Sequence, residues 1–477
     1  MTNRFSLILC LLLLSLSIQA QEKYFQKEQL KEDVEQLQKN LLAIHPGLDY
    51  FVPKATVEKM FTESIESLPD SMTRMDFFNL VEPIIDTIEC GHTNIRFGHK
   101  LYDRKKEGDK PLLFPIKVIL LDNEVLLKED FNIGTNLIPK GSQILSIDSI
   151  EIDHIVDRLT TYHRGADGDD HYPERLWAVR TFTDGYARFF GLKDKFLVQL
   201  INSKSGQKQT YTIDAIPPNA FNELAKSERK ASSPVTFKTV DNGNIGLLTM
   251  TSFSNKSFLK KSKKKINKAF NEIRKNDLDK LIIDVRNNGG GAIKNIANLT
   301  RHLMDEEYLI IKESVFKKAY LDVKKSIFMK LLLAFAKKET RGEDVYFHVW
   351  DKKNIKPKRK PFTGDLVVLI NNQSYSAAAM TPALIKDRKR GTLIGEEAGG
   401  SFHLAFAGFS KYETLKNSKL RIRIPVLSLI YDVDEDIQDR RRGVIPDIEK
   451  IYTKQNLING TDTVLEYAIE YLNNKKS

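Results

Sequence analysis

Cysteine is nearly absent. Of 477 residues only Cys10 and Cys90 carry a thiol, and Cys10 falls in an N-terminal stretch expected to be removed. The mature chain then has no pair to cross-link, so its fold rests on a packed core. No spacing of Cys and His resembles a zinc site. No Gly-Lys-Ser/Thr follows the one glycine-rich turn, which excludes a P-loop. Motifs that read bases or stack single strands are missing, as are long-period repeats. The longest N-terminal apolar run, Leu7 to Leu14, is short for a membrane span.

The chain that remains is 29% charged and 41% hydrophobic, a composition of soluble globular proteins. Its length suggests about three domains at roughly 150 residues each. The start, MTNRFSLILCLLLLSLSIQAQEKYF, has Arg4 ahead of the apolar run and Ala20 just before Gln21. This is the pattern of a secretory signal over 1–20, cleaved near Ala20 and leaving the chain exported to a periplasm or the outside. Leu9 precedes Cys10 where a lipoprotein signal wants a small residue. The net charge is +11, with lysines crowded at 259–280 and 313–360. Such a surface suits a membrane, an acidic peptide or nucleic acid, and a solvated face accounts for it equally. With export expected, no nucleic acid partner is.

Three regions follow. In 21–100 the pattern is helical: Leu30, Val34, Leu37 and Leu41 recur at helical spacing and Pro46 ends the run. Two more helices are expected near Ala55–Leu68 and Thr73–Cys90. In 110–217 short apolar runs (FPIKVILL, EVLLKE, SQILSID, KFLVQLI) alternate with turns and read as strands. Within it PKGSQILSIDSIEIDHIVDRL resembles the "GD-x-I-x-x-I-N-G" run of a PDZ domain, with Ser142 and Asp148 standing for the acidic residue and Asn. PDZ domains take peptide C-termini on a sheet edge, although any small β unit with a turn and helix shares the pattern. From 235 to 477 strands and helices alternate: IGLLTMTSF, a helix with Ile266, Ala269, Phe270 and Ile273 on one face, KLIIDV, GAIKNIANLTRHLM, DLVVLI, SAAAMTPALIKD and GTLIGE. This rhythm predicts an α/β core of largely parallel strands.

Three pieces carry candidate chemistry. In LIIDVRNNGGG a strand runs into three glycines before a helix, leaving backbone N–H groups to face an anion or a developing oxyanion; a tight connection alone explains a lone glycine turn. In NNQSYSAAAM two serines sit between strand and helix, where a serine either caps the helix or is exposed by a sharp turn. In ECGHTNIRFGH, His92 is a candidate base beside Thr93, and a histidine in a loop is more often structural. A serine, a pocket of N–H groups and a histidine are what acyl transfer requires.

Taken together, LIIDVRNNGGG, VVLINNQSYSAAAMTPALIKDRKRGTLIGEEAGG, CGHTNIRF and GVIPDIE resemble the tail-specific (carboxyl-terminal processing) and tricorn-type serine peptidases. Those show "DLR-x-N-x-GG", "VLV-N-x-x-S-A-S-A-x-E", "R-x-x-x-V-G-E-x-T-x-G", "DGHT" and "G-V-x-P-D". The resemblance implies a multidomain α/β fold: an N-terminal helical domain, a PDZ-like β domain and a ClpP/crotonase-like core. It implies an exported serine peptidase with Ser376 as nucleophile, His92 as base, and the N–H of Ala377 with one from Gly289 or Gly290 as oxyanion hole. Peptides or proteins would be its substrates, and no metal or organic cofactor is implied.

Departures bear on activity. The lysine of a Ser–Lys dyad would fall at Ser401, which favours a histidine base; His403 nearby is a rival. The family's Glu is Ala379, and RRRG (440–443) replaces an acidic partner, so the group orienting His92 is unassigned; Asp432, Asp434, Asp436 and Asp439 are near in sequence. An inactive peptide-binding or scaffolding protein of the same fold is the alternative. KKSIFMKLLLAFAKK (324–338), basic at both ends, reads as an interfacial membrane helix, a lid, a dimer contact or a helix packed on the core.

Overall fold

The computed structural model describes residues 23–97, 112–160, 166–168, 174–217, 220, 233–254, 259–322, 338–347 and 354–475. The expected signal over 1–20 lies outside them, as does 324–338 except Lys338, which opens a strand. No helix among the described residues is long and apolar enough to cross a membrane.

The region from Val235 onward is built on a six-stranded sheet. Its strands are β1 (Val235–Val240), β2 (Ile245–Met250), β3 (Lys280–Asp284), β4 (Asp365–Ile370), β5 (Thr392–Gly395) and β6 (Ile448–Glu449), in that spatial order. β2 through β6 pair in parallel and β1 is antiparallel to β2. Side chains alternate between two cores, as a sheet covered on both faces requires. Leu281, Ile283, Leu366, Val368 and Ile370 face one core. Ile282, Val367, Leu369 and Ile394 face the other, with Val464, Ala468 and Leu472 of a C-terminal helix (Thr463–Asn474). Helices α1 (Leu259–Lys275), α2 (Ile293–Thr300) and α3 (Ala377–Asp387) supply Phe270, Ile296 and Leu384 to the first core. The helix expected over GAIKNIANLTRHLM closes early, at Thr300, and continues as turns. There His302 N donates to Leu299 O, and Phe362 N to His302 O.

A second, antiparallel sheet joins Ile311–Lys317, Asp344–Phe347, Lys338–Arg341, Ser428–Tyr431 and Leu404–Phe406. Periodicity does not single out these short strands. A three-stranded ladder adds Asn94–Phe97 to Leu420–Pro425 and Ser410–Thr414, which docks the His92 loop on the core.

The N-terminal helices form at Lys27–Ile44, Lys54–Glu66 and Arg74–Asp86. The last ends four residues before Cys90, and Glu89 turns the chain with φ 54°. Their apolar faces (Leu30, Val34, Phe61, Phe77, Val81) join the core that covers the main sheet. The buried Asp33 ties this layer down by accepting from Asn417 N (2.8 Å) and Ser418 N (2.7 Å).

Residues 112–217 form an antiparallel sheet in the order Lys208–Asp214, Lys195–Ile201, Gln143–Ile147, Glu124–Leu127, Val118–Leu121, with a core of its own. Asp148 and Ser149, both at positive φ, make the two-residue turn between Gln143–Ile147 and Ile150–Glu151. The strand-and-turn reading omits two helices, Glu174–Arg180 and Phe182–Phe189. Gly185 lets the second pack on Leu159, since a Cβ there would lie 2.5 Å from Leu159 Cδ2. Asp33→Ala strands two buried N–H groups and should cost about 2–3 kcal/mol, read from urea unfolding of the full chain.

Candidate active site

The glycine turn follows β3, and the serine turn follows the neighbouring β4. Parallel strands put both at the same edge of the sheet, where open α/β sheets hold their sites. Asn288 knits them together. Its Nδ2 donates to Met250 O (2.8 Å), its Oδ1 accepts from Gly290 N (2.9 Å), and its carbonyl accepts from Tyr375 N (3.0 Å). The Asn287 and Asn371 side chains and backbone bond across the two turns. Gly290 sits so close to the serine turn that a Cβ would lie 2.9 Å from both Ser376 Cβ and Ala377 N. Gly291, at φ 147°, presses on the Phe253 backbone.

The two serines have separate fates. Ser374 is fully buried, donates to Val285 O (2.9 Å) and accepts from Asn371 N (3.1 Å), which makes it a strut between turns. Ser376 is half-buried at φ 56° and ψ −123°. Only a sharp elbow holds a non-glycine there, at a strain of order 1–3 kcal/mol. Its Oγ makes no hydrogen bond among the described residues. Ala377 N, the first N–H of α3, and Gly289 N are likewise without described acceptors, whereas Gly290 N is taken by Asn288. Ala379 is buried where the Cβ of a side chain at Gly400 would lie 2.7 Å away, so that corner is filled.

His92 is buried and faces Tyr375, the residue before Ser376. The rings stack at 4.8 Å and 27°, and His92 Nδ1 is 2.7 Å from Tyr375 Oη. Tyr375 Oη donates to Asp167 Oδ1 (2.9 Å), which also accepts from Gly91 N (3.0 Å). Burial first, and the Arg423 charge second, lower the His92 pKa to about 3. No bond joins His92 to Ser376 Oγ, and none to its Nε2 involves a described residue. His45 is a second buried neutral histidine. Its Nδ1 accepts from Gly47 N and its Nε2 meets Thr93 Oγ1 at 3.0 Å, which anchors the residue after His92.

His403 is buried beside the Glu435 backbone, with Glu435 and Asp439 as its neighbouring charges. The aspartates near RRRG are engaged elsewhere: Asp432 with Arg388, Asp434 with Asp436 N, and Asp439 with Arg441 N. The arginines clamp loops, Arg441 on Glu89 (2.9 Å) and Arg442 on Glu397. The carboxylate beside His92 is instead Asp167, which sequence reasoning missed. Its only local mark is the run Gly165-Ala-Asp-Gly168.

Cys90, His92 and Asp167 offer ligand atoms within 4.8 Å of one another, the one such group among the described residues. The Tyr375 hydroxyl already occupies the nitrogen and oxygen there, and burial pushes the Cys90 thiol up to about 12. A cleft of about 1530 Å³ runs past the neighbouring loops, lined by Asp167, Asn371 and Gln373 but not by Ser376 or His92. Val118 and Leu121 of the small sheet's edge strand line one side, and Asn287, Gln373 and Gly399 the other.

Residues 244–450 match the profile of peptidase family S41. The matched stretch, the core of this chain, is similar to that family. The match over this core supports a serine peptidase. Among solved structures, mature CPAF superposes with a TM-score of 0.62 at 15% identity, over 94% of this chain and 99% of that one. Mature CPAF complexed with lactacystin gives 0.63 at 14%, over 94% and 98%. At such identities the likeness speaks for a shared mixed α/β multidomain fold. No curated protein matches. If the elbow of this peptidase core is strained, Ser376→Gly should unfold later than Ser376→Ala by about 1 kcal/mol, read by thermal denaturation of both.

Proposed function

We propose that the protein is an exported peptidase that cleaves peptide bonds through an acyl-enzyme on Ser376. The observation that carries this is the elbow: a serine at φ 56° whose Oγ, like the N–H of Ala377 next to it, has no hydrogen-bond partner among the described residues. Ser376 Oγ attacks the carbonyl, and His92 takes its proton and returns it to the leaving amine. The N–H groups of Ala377 and Gly289 receive the oxyanion; Gly290 contributes by having no side chain, since its own N–H serves Asn288. The cleft delivers an extended peptide, with the 112–217 unit as a PDZ-like holder of its tail. Export rests on the pattern over 1–20.

Active-site labelling of the full-length mature chain with a fluorophosphonate tests this reading. Wild type should label, and Ser376→Ala and His92→Ala should each reduce labelling by at least about 100-fold. Labelling that survives His92→Ala would transfer the base to His403. A folded wild type that never labels, but binds peptides, would leave the non-catalytic alternative.

The buried His92 also sets a pH dependence. A folded pKa of about 3 lies below the ordinary 6.5, so the base stays neutral and competent as pH falls from 7.5 to 5. The stability that this burial contributes is full above about pH 6.5 and is lost as pH falls towards 3. Labelling rates should therefore stay flat to pH 5 while the urea midpoint declines over the same range.

A further inference from the structure

A base held neutral by burial has a difficulty: the imidazolium formed during attack must be stabilised from somewhere. Asp167 is the nearby carboxylate, yet its Oδ1 is 4.0 Å from His92 Nδ1, beyond hydrogen-bond reach. The space between is filled by the Tyr375 hydroxyl, 2.7 Å from one and 2.9 Å from the other.

We propose that Tyr375 is a positioning residue that relays Asp167 to His92, so that the orienting unit is His–Tyr–Asp rather than a directly paired acid. This rests on His92 being the base. The direction of the relay follows from the donors available. An ionised Asp167 Oδ1 only accepts, and it already accepts from Gly91 N. Tyr375 therefore spends its single proton on Asp167, and its oxygen is left to accept from His92. Nδ1 must then carry the ring proton, which leaves the Nε2 lone pair for Ser376. Burial and the Asp167 charge raise the Tyr375 pKa well above its ordinary value, so the phenol stays protonated.

The geometry over-determines the arrangement. The Tyr375 ring stacks on the imidazole and fixes its plane. Gly91 lacks the Cβ that would come 2.7 Å from Tyr375 Oη. Asp167 is pinned through its backbone, with its N donating to Gly399 O (3.0 Å), while Gly399 N donates to Ser374 O (3.1 Å). Tyr375 is also bonded to Ser376, so one residue sets both the base and the elbow. During attack the Ser376 proton passes to Nε2, and the imidazolium bonds Tyr375 through Nδ1–H. Tyr375 keeps its own proton, and the positive charge faces Asp167 across the hydroxyl. The Nε2 proton then goes to the leaving amine.

The test is ¹⁵N NMR of the histidine-labelled full-length mature chain near pH 7, with the His92 signal assigned by its loss in His92→Gln. Wild type should show a protonated Nδ1 and an unprotonated Nε2. In Tyr375→Phe that tautomer should give way to Nε2–H or a mixture. The kcat for a peptide substrate should fall about 100-fold with KM within about twofold. Asp167→Asn should keep the tautomer, since its amide oxygen still accepts, and yet lose kcat. An Nε2–H tautomer in wild type overturns the relay without any variant. So does Tyr375→Phe with unchanged tautomer and kcat. A wild type that shows Nδ1–H but never labels at Ser376 upholds the relay and removes the peptidase reading instead.

Discussion

Two turns pressed against each other hold this molecule's chemistry together. The glycine turn after β3 and the serine turn after β4 meet so closely that no side chain fits at position 290. Asn288, buried between them, bonds to both. The contact exists because β3 and β4 are parallel neighbours, so both turns emerge at the same edge. The strained Ser376 backbone persists because this packing leaves it no alternative. The N–H of Ala377, which has no acceptor among the described residues, follows from the same geometry, since the first turn of α3 has no intrahelical acceptor to offer.

The rest of the structure brings a histidine to that edge. Three N-terminal helices share the core of the sheet, and the strand Asn94–Phe97 joins a ladder of the core. His92 sits at the junction of these two attachments. Burial, with the Arg423 charge second, keeps it neutral, and among the described residues the hydrogen bond on Nδ1 is to a hydroxyl rather than a carboxylate. Arg441 and Arg442, which stand where an acidic partner was expected, bind the loops carrying Glu89 and Glu397. They act as clamps around the site.

Much of the fold was legible because its signals are local. KLIIDV and DLVVLI read as buried strands, having apolar residues for both faces of a covered sheet. The glycines and the serine pair marked their turns, because sharp turns need particular residues. Other elements left weaker traces. The helices at 174–189 are short and interrupted at Thr181. The antiparallel strands between 404 and 431 owe their state to pairing partners, as short strands do.

What the sequence by itself determined is the chemistry on offer: an exposed-elbow serine, glycines where backbones must touch, and a histidine in a loop. What only the tertiary structure decided is which groups meet. Asp167 lies 76 residues from Gly91 and 208 from Tyr375, yet it bonds to both. Tyr375 is 283 residues from His92 and stacks on it. No local pattern encodes such contacts. They arise when separate loops are drawn to one sheet edge, and there burial turns ordinary polar side chains into a single hydrogen-bonded unit.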